Sequence, residues 1–154
     1  HEIAPDNPYA YNNRGLKLMA RELYEEALTA FQRRIEMESE TAVSAYLAVT
    51  AIHIIRGQND LARDYLDRAA DLLSSQTGRN LKGASGYDYD VAYYSLYNNR
   101  EDVLERWRNW LSHHHHTEKE IRKGIDFLQR LAAAPQPPPA TAAVLELFNE
   151  TGSN

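Results

Sequence analysis

Proline placement constrains this chain more than any other feature: Pro5 and Pro8 open it, and no proline follows until Pro135, with Pro137, Pro138 and Pro139 close behind. An interior proline removes a helix hydrogen bond and clashes with the preceding turn, so residues 9–134 are all free to be helical. Glycines punctuate that window sparsely. Gly15, Gly57 and Gly124 stand alone, whereas Gly78, Gly83 and Gly86 gather in a polar stretch that reads as a loop over 74–86. With 154 residues, 43% hydrophobic and 25% charged, the chain has the size and composition of one globular unit.

Helical periodicity fills the window. Tyr24, Ala27, Leu28, Phe31 and Ile35 recur at three- and four-residue steps, as do Leu61, Ala62, Tyr65, Leu66, Ala69 and Leu73, each set opposite a charged face. Alternation at period two is scarce, so no sheet is expected and the fold class is all-α. Eight helices are predicted, over 8–21, 23–38, 42–56, 59–74, 87–98, 100–112, 117–133 and 140–150. Residues 41–55 lack Asp, Glu, Lys and Arg; these 15 positions are too few for a membrane span of ~20 residues and predict a buried core helix. Thr117 followed by Glu120 is a capping-box pattern at the start of the seventh helix. The Pro-Gln-Pro-Pro-Pro run at 135–139 predicts a semi-rigid spacer.

Charge narrows the partners. The net charge is −5 and no run is dense in Lys or Arg, which argues against nucleic acid, whose affinity rests on neutralised phosphates. Zero cysteines exclude a disulfide framework, a thiolate metal site and a cysteine nucleophile, and leave cytoplasm and periplasm equally open. The start at His1, with no basic-then-apolar leader, is expected of a trimmed, processed or partial chain.

Self-similarity is the most informative pattern. The segment Tyr24-Glu25-Glu26-Ala27-Leu28-Thr29-Ala30-Phe31, with Tyr11 and Gly15 on the helix before, recurs as Gly57, Ala62, Leu66 and Ala69 behind Tyr46. Ala27 and Ala62 are 62 − 27 = 35 residues apart. A degenerate third copy sets Val103 and Trp107 where the first has Ala27 and Phe31, with Tyr87, Val91 and Tyr94 on its leading helix. Over residues 8–112 this resembles the tetratricopeptide repeat family, whose period is about 34. The closing proline of the family repeat is absent, with Ser39 standing there in the first copy, and the Tyr-Asn-Asn-Arg tetrad at 11–14 and 97–100 falls in two different registers.

The resemblance implies a right-handed superhelix of antiparallel helix pairs. It divides the chain into a repeat domain over 1–134, with repeats at about 8–41, 42–76 and 84–116 and a capping helix at 117–133, then the linker 135–139 and a short amphipathic helix and tail over 140–154. It also implies that a peptide or partner protein lies in the concave groove. Carried over by position, that groove is lined by Tyr9, Asn12, Asn13, Leu16 and Met19, then Leu47, Ala51 and Ile54, then Asp88, Tyr89, Ala92 and Ser95. Such a lining suits an amphipathic helix or an extended apolar peptide. Leu16 and Asp88 stand where family members that clamp chaperone C-termini need polar or basic groups, so that ligand class is not expected.

The four histidines at 113–116 offer His113 and His116 at three-residue spacing, a weak metal signal beside the simpler reading of exposed imidazoles at a helix end. His53 lies in the uncharged helix with no partner motif and reads as a satisfied core or groove-edge histidine. Asp88 and Asp90 read as a helix-start signal. Most tyrosines fall at packing positions, leaving Tyr9, Tyr89, Tyr93, Tyr97 and Trp110 for a surface role. The expectation is a non-enzymatic interaction scaffold without metal or cofactor, with a peptide-sensing domain, and behind it a metal-dependent enzyme built on the histidine run, as alternatives. Val144, Leu145, Leu147 and Phe148 require the last helix to bury a face, so docking near the last helices of its own stack is expected, with exchange between two copies as the dimeric alternative.

Overall fold

A computed structural model describes residues 7–77, 85–113 and 115–152, with backbone alone at 76, 77, 85–88 and 152. Among them are eight α-helices, a short 3-10 turn at Ser39–Thr41 and no strand. The helices are α1 (Pro8–Ala20), α2 (Tyr24–Met37), α3 (Val43–Ile55), α4 (Asn59–Thr77), α5 (Ser85–Tyr97), α6 (Val103–His113), α7 (Glu118–Ala132) and α8 (Thr141–Gly152). Each expected helix is present. The predicted 74–86 loop is shorter than expected, because α4 and α5 extend into it from both sides; Gly78 and Gly83 lie outside the described residues.

Local chemistry starts and stops these helices. Asn7 caps α1 by accepting from the Tyr9 amide at 3.1 Å, with Pro8 at the first helical position. The predicted capping box is formed at α7: Thr117 Oγ1 accepts from the Glu120 amide at 3.1 Å, and Glu120 Oε1 accepts from the Thr117 amide at 3.4 Å. The first three pairs share one turn. The amides of Leu23, Gln58 and Arg100 donate back to the carbonyls of Leu18, His53 and Ser95, and Glu22, Gly57 and Asn99 sit at positive φ beside them. At the joint from α2 to α3, buried Arg34 donates to the Glu38 carbonyl at 2.9 Å and to the Thr41 hydroxyl at 3.0 Å, bracing the bend before α3.

Consecutive helices pack as pairs, and α3 sits at the centre, touching α1, α2, α4, α5 and α7. Eleven of its 13 residues are buried, as an uncharged helix requires. Ala27 and Phe31, Ala62 and Leu66, and Val103 and Trp107 are buried at the repeat's packing positions.

The last two helices form a fourth pair. In the first pair the ring of Phe31 lies so close to Gly15 that a β-carbon there would stand 2.6 Å from it; in the last, the ring of Phe148 fills the same place over Gly124 at 2.5 Å. The glycine-to-phenylalanine separation is 31 − 15 = 16 residues in one and 148 − 124 = 24 in the other, the excess being the proline segment. That segment is seated in the fold: Pro135 packs on Gly57, the Gln136 carbonyl accepts from Asn59 Nδ2 at 3.3 Å, and buried Thr141 donates its hydroxyl to the Pro138 carbonyl at 2.7 Å. Helix α8 packs on α7 and α6, with Phe148 against Trp107 at 5.5 Å and Trp110 at 6.2 Å between ring centroids.

Two predictions follow from the glycine contacts. Gly15→Ala and Gly124→Ala should each cost about 1–3 kcal/mol in denaturant titration, through overpacking against a buried ring. A loss under about 0.5 kcal/mol at Gly124 would show that α7 and α8 are not locked as α1 and α2 are. Phe148→Ala should cost about 3–5 kcal/mol, matching Phe31→Ala, because both rings are fully enclosed.

Candidate functional site

The shared turn sets the register of the inner helices. With Leu18, His53 and Ser95 equivalent, Asn12, Asn13, Leu16 and Met19 of α1 correspond to Leu47, Ala48, Ala51 and Ile54 of α3 and to Tyr89, Asp90, Tyr93 and Leu96 of α5. The third turn lies 99 − 57 = 42 residues after the second, whereas the outer-helix residues Ala62 and Val103 are 41 apart. Ala92 and Ser95 therefore occupy the interior positions of Gly15 and Leu18, and both are buried, with the Ser95 hydroxyl donating to the Ala92 carbonyl at 2.6 Å. Asp90, Tyr93 and Leu96 take inner-face positions that the spacing of 41 does not reveal.

Of the residues expected to line the groove, Tyr9 is 75% exposed, Leu16 44% and Tyr89 43%, and Asn13 is exposed too. Asn12 is half-buried, its Oδ1 enclosed without a partner. Met19, Leu47, Ala51 and Ile54 are buried, and the side chain of Asp88 lies outside the described residues. Burial at the centre has a plain cause. Helix α7 packs on α3, reaches α1 through Arg130, which donates to the carbonyls of Met19 at 3.2 Å and Ala20 at 2.8 Å, and reaches α5 through Phe127, 5.6 Å from the Tyr93 ring. The chain's own α7 thus covers the middle of the inner face, leaving the Tyr9, Asn13 and Leu16 side of α1 and the Tyr89 end of α5 open.

Aromatic rings and one carboxylate define the open end. Tyr89, Tyr93 and Tyr97 form a stripe at four-residue steps, with centroids 4.7 Å apart and edge-on for the first two and 5.8 Å apart for the next. Tyr89 presents its ring to solvent but turns its hydroxyl inward to donate to Tyr93 at 3.3 Å. Behind them stand Trp107, 4.7 Å from Tyr93, and Trp110, 5.1 Å from Tyr89. Burial pushes the Tyr93 and Tyr97 hydroxyls well above the usual phenol range, and the charge of Asp90 adds to the effect at Tyr97. Asp90 is half-buried on the same helix, and desolvation raises its carboxyl to about 6.

The histidine run is placed differently from a metal centre. Helix α6 ends at His113, so His113 and His116 do not share a helix face. His113 Nδ1–H donates to the Asn109 carbonyl at 2.9 Å, and His116 lies on the Trp110 ring at 4.1 Å and donates to the Trp110 carbonyl at 3.2 Å; His114 lies outside the described residues. Among the described residues no three His, Cys, Asp or Glu side chains gather as a metal would need. His53 is buried, donating from Nδ1 to Gln58 Oε1 at 2.8 Å beside the Tyr65 ring. No helix among the described residues is long and apolar enough to cross a membrane. No protein-family model matches the chain, and no curated protein or solved structure matches it either.

The raised carboxyl gives a signed prediction. Because Asp90 holds its proton to about pH 6 in the fold against 3.8 ordinarily, its contribution to stability is fully present below pH 3.8 and is lost as pH rises through 6. Asp90→Asn should therefore stabilise the protein by about 1–3 kcal/mol at pH 7.5 and change little at pH 3.5. Equal effects at both pH values in urea titrations would show that Asp90 is not desolvated.

Proposed function

We propose that this protein is a non-enzymatic interaction module, a right-handed superhelix of tetratricopeptide type that binds a segment of a partner protein along its inner face. One observation carries the reading. Among the described residues, the large apolar side chains left exposed are Tyr9, Leu16, Leu61 and Tyr89, and three of the four stand at inner-face positions. Isolated exposed apolar groups are ordinary, but their concentration on one face marks a contact surface. Because α7 occupies the centre, the ligand is a segment that lies beside α7 and uses the tyrosine and leucine side chains of α1 or the tyrosine end of α5, as an amphipathic helix or an extended apolar peptide would.

Site-specific photo-crosslinking tests this reading. A photoreactive residue placed at Tyr9 and at Leu16, or else one placed at Tyr89, should capture a partner from native lysate, and one placed at Leu61 on α4 should not. Tyr9→Ala with Leu16→Ala should weaken capture by about tenfold or more while changing stability by under about 0.5 kcal/mol, as exposed positions do. Capture from Leu61 equal to that from the inner face would remove the reading.

A further inference from the structure

We propose that the groove between α1 and α2, on the open face of the first helix pair, is a docking site for an amphipathic helix of a partner protein, acidic along one edge. This surface is separate from the inner face, because Tyr11, Arg14 and Leu18 lie on the side of α1 opposite Tyr9, Asn13 and Leu16.

Within the stack, the corresponding face of the second pair already holds a helix. A shift of 35 residues relates the two pairs, taking Leu18 to His53 and Ala27 to Ala62, and it carries Tyr11, Arg21, Ala30 and Arg33 onto Tyr46, Arg56, Tyr65 and Arg68. Helix α2 is seated there. Gln32 donates to the Tyr65 hydroxyl at 2.7 Å, Glu25 pairs with Arg56, and Tyr46 is buried with its ring 6.1 Å from that of Tyr65. On the first pair the same face is an open groove of about 390 Å³ between Tyr11 and Arg14 on one wall and Glu26 and Arg33 on the other.

Two features of the groove define its occupant. Ala30 stands where the second pair has the Tyr65 ring, so the floor, formed by buried Leu18 and Ala30, leaves room for a large apolar side chain. The α1 edge is basic: Arg14, Lys17 and Arg21 follow at three- and four-residue steps, all exposed and none in an ion pair among the described residues, on a helix without Asp or Glu. The α2 edge is balanced, with Glu26 beside Arg33, which lies 5.8 Å from the Tyr11 ring and pairs with Glu36 at 3.6 Å. A stack end needs polar groups for solubility, but neither a single sign of charge nor a hollow beside it. An apolar floor with one basic edge fits an amphipathic helix that seats a large apolar residue and turns carboxylates toward α1, as Glu25 of α2 is turned toward Arg56.

Fluorescence anisotropy of two labelled probes with the intact protein tests the site. Both are side-chain-stapled leucine helices of about 14 residues, one edged with glutamate and the other with lysine. At low ionic strength the glutamate probe should bind about tenfold or more tighter, although the protein's net charge of −5 favours the lysine probe. Arg14→Glu with Lys17→Glu, both exposed, should abolish that preference, and Ala30→Tyr should weaken the glutamate probe about tenfold by filling the hollow. Equal affinity for the two probes, or a preference that survives Arg14→Glu with Lys17→Glu, overturns the site. Loss of binding in Tyr9→Ala with Leu16→Ala instead would move the probe to the inner face and sink the proposal. A dimer on gel filtration that the Arg14 and Lys17 changes dissolve would give the groove to a second copy, against the proposal. Because the groove and the inner face occupy opposite sides of α1, failed crosslinks at Tyr9 and Leu16 leave the probe preference standing, and lost preference leaves the crosslinks standing.

Discussion

A helix with no charged face has to be surrounded, and α3 is that helix. Burying one Val or Ile side chain is worth about 1.5–3 kcal/mol, and α3 commits Val43, Val49, Ile52 and Ile54 together with a run of alanines whose small volume lets neighbouring backbones come close. Two pairs alone cannot enclose it. Helices α1 and α2 cover one side and α4 the next, while α5 and α7 close the remainder, so the arrangement of the pairs answers to one buried element. Its polar groups are satisfied within the same plan: the Thr50 hydroxyl returns to the Tyr46 carbonyl at 2.8 Å, and His53 reaches Gln58 in the following turn.

The recurring glycine and phenylalanine explain how the ends hold. In both terminal pairs a ring lies where the glycine has no side chain, so two helices meet more closely than any larger residue allows. The interior pairs replace the lock with Thr50 and Leu66, and with Ala92 and Trp107, which trade close approach for side-chain volume. Since α8 is held by this lock and by Trp107 and Trp110, α7 has a rigid backing from which Arg130 can reach the end of α1. The covering of the inner face therefore rests on packing at the far end of the chain.

Charges are spent at the joints. Arg34 braces the α2–α3 bend, Arg56 pairs with Glu25 across the first two pairs, Arg63 ties α4 to the α5–α6 turn, and Arg130 ties α7 to α1. Most of these are exposed contacts worth under about 1 kcal/mol each, so they set alignment more than stability. Against that pattern Asp90, half-buried and without an ion pair among the described residues, is a group the fold tolerates at a cost.

Reading the residues in order was enough to find the eight helices, the buried α3, the capping box at Thr117 and the packing roles of Ala27, Phe31, Ala62, Val103 and Trp107, because periodicity and capping are local and act within a few turns. The spacing could not show Gly124 and Phe148 as the partners of a fourth pair, since the proline segment stretches 16 residues to 24 and hides the repeat. Nor could it show which inner-face residues reach solvent. Whether Met19 is open depends on α7, whose Arg130 meets the Met19 carbonyl across 111 residues, and exposure set by so distant a segment exists only once the chain has folded.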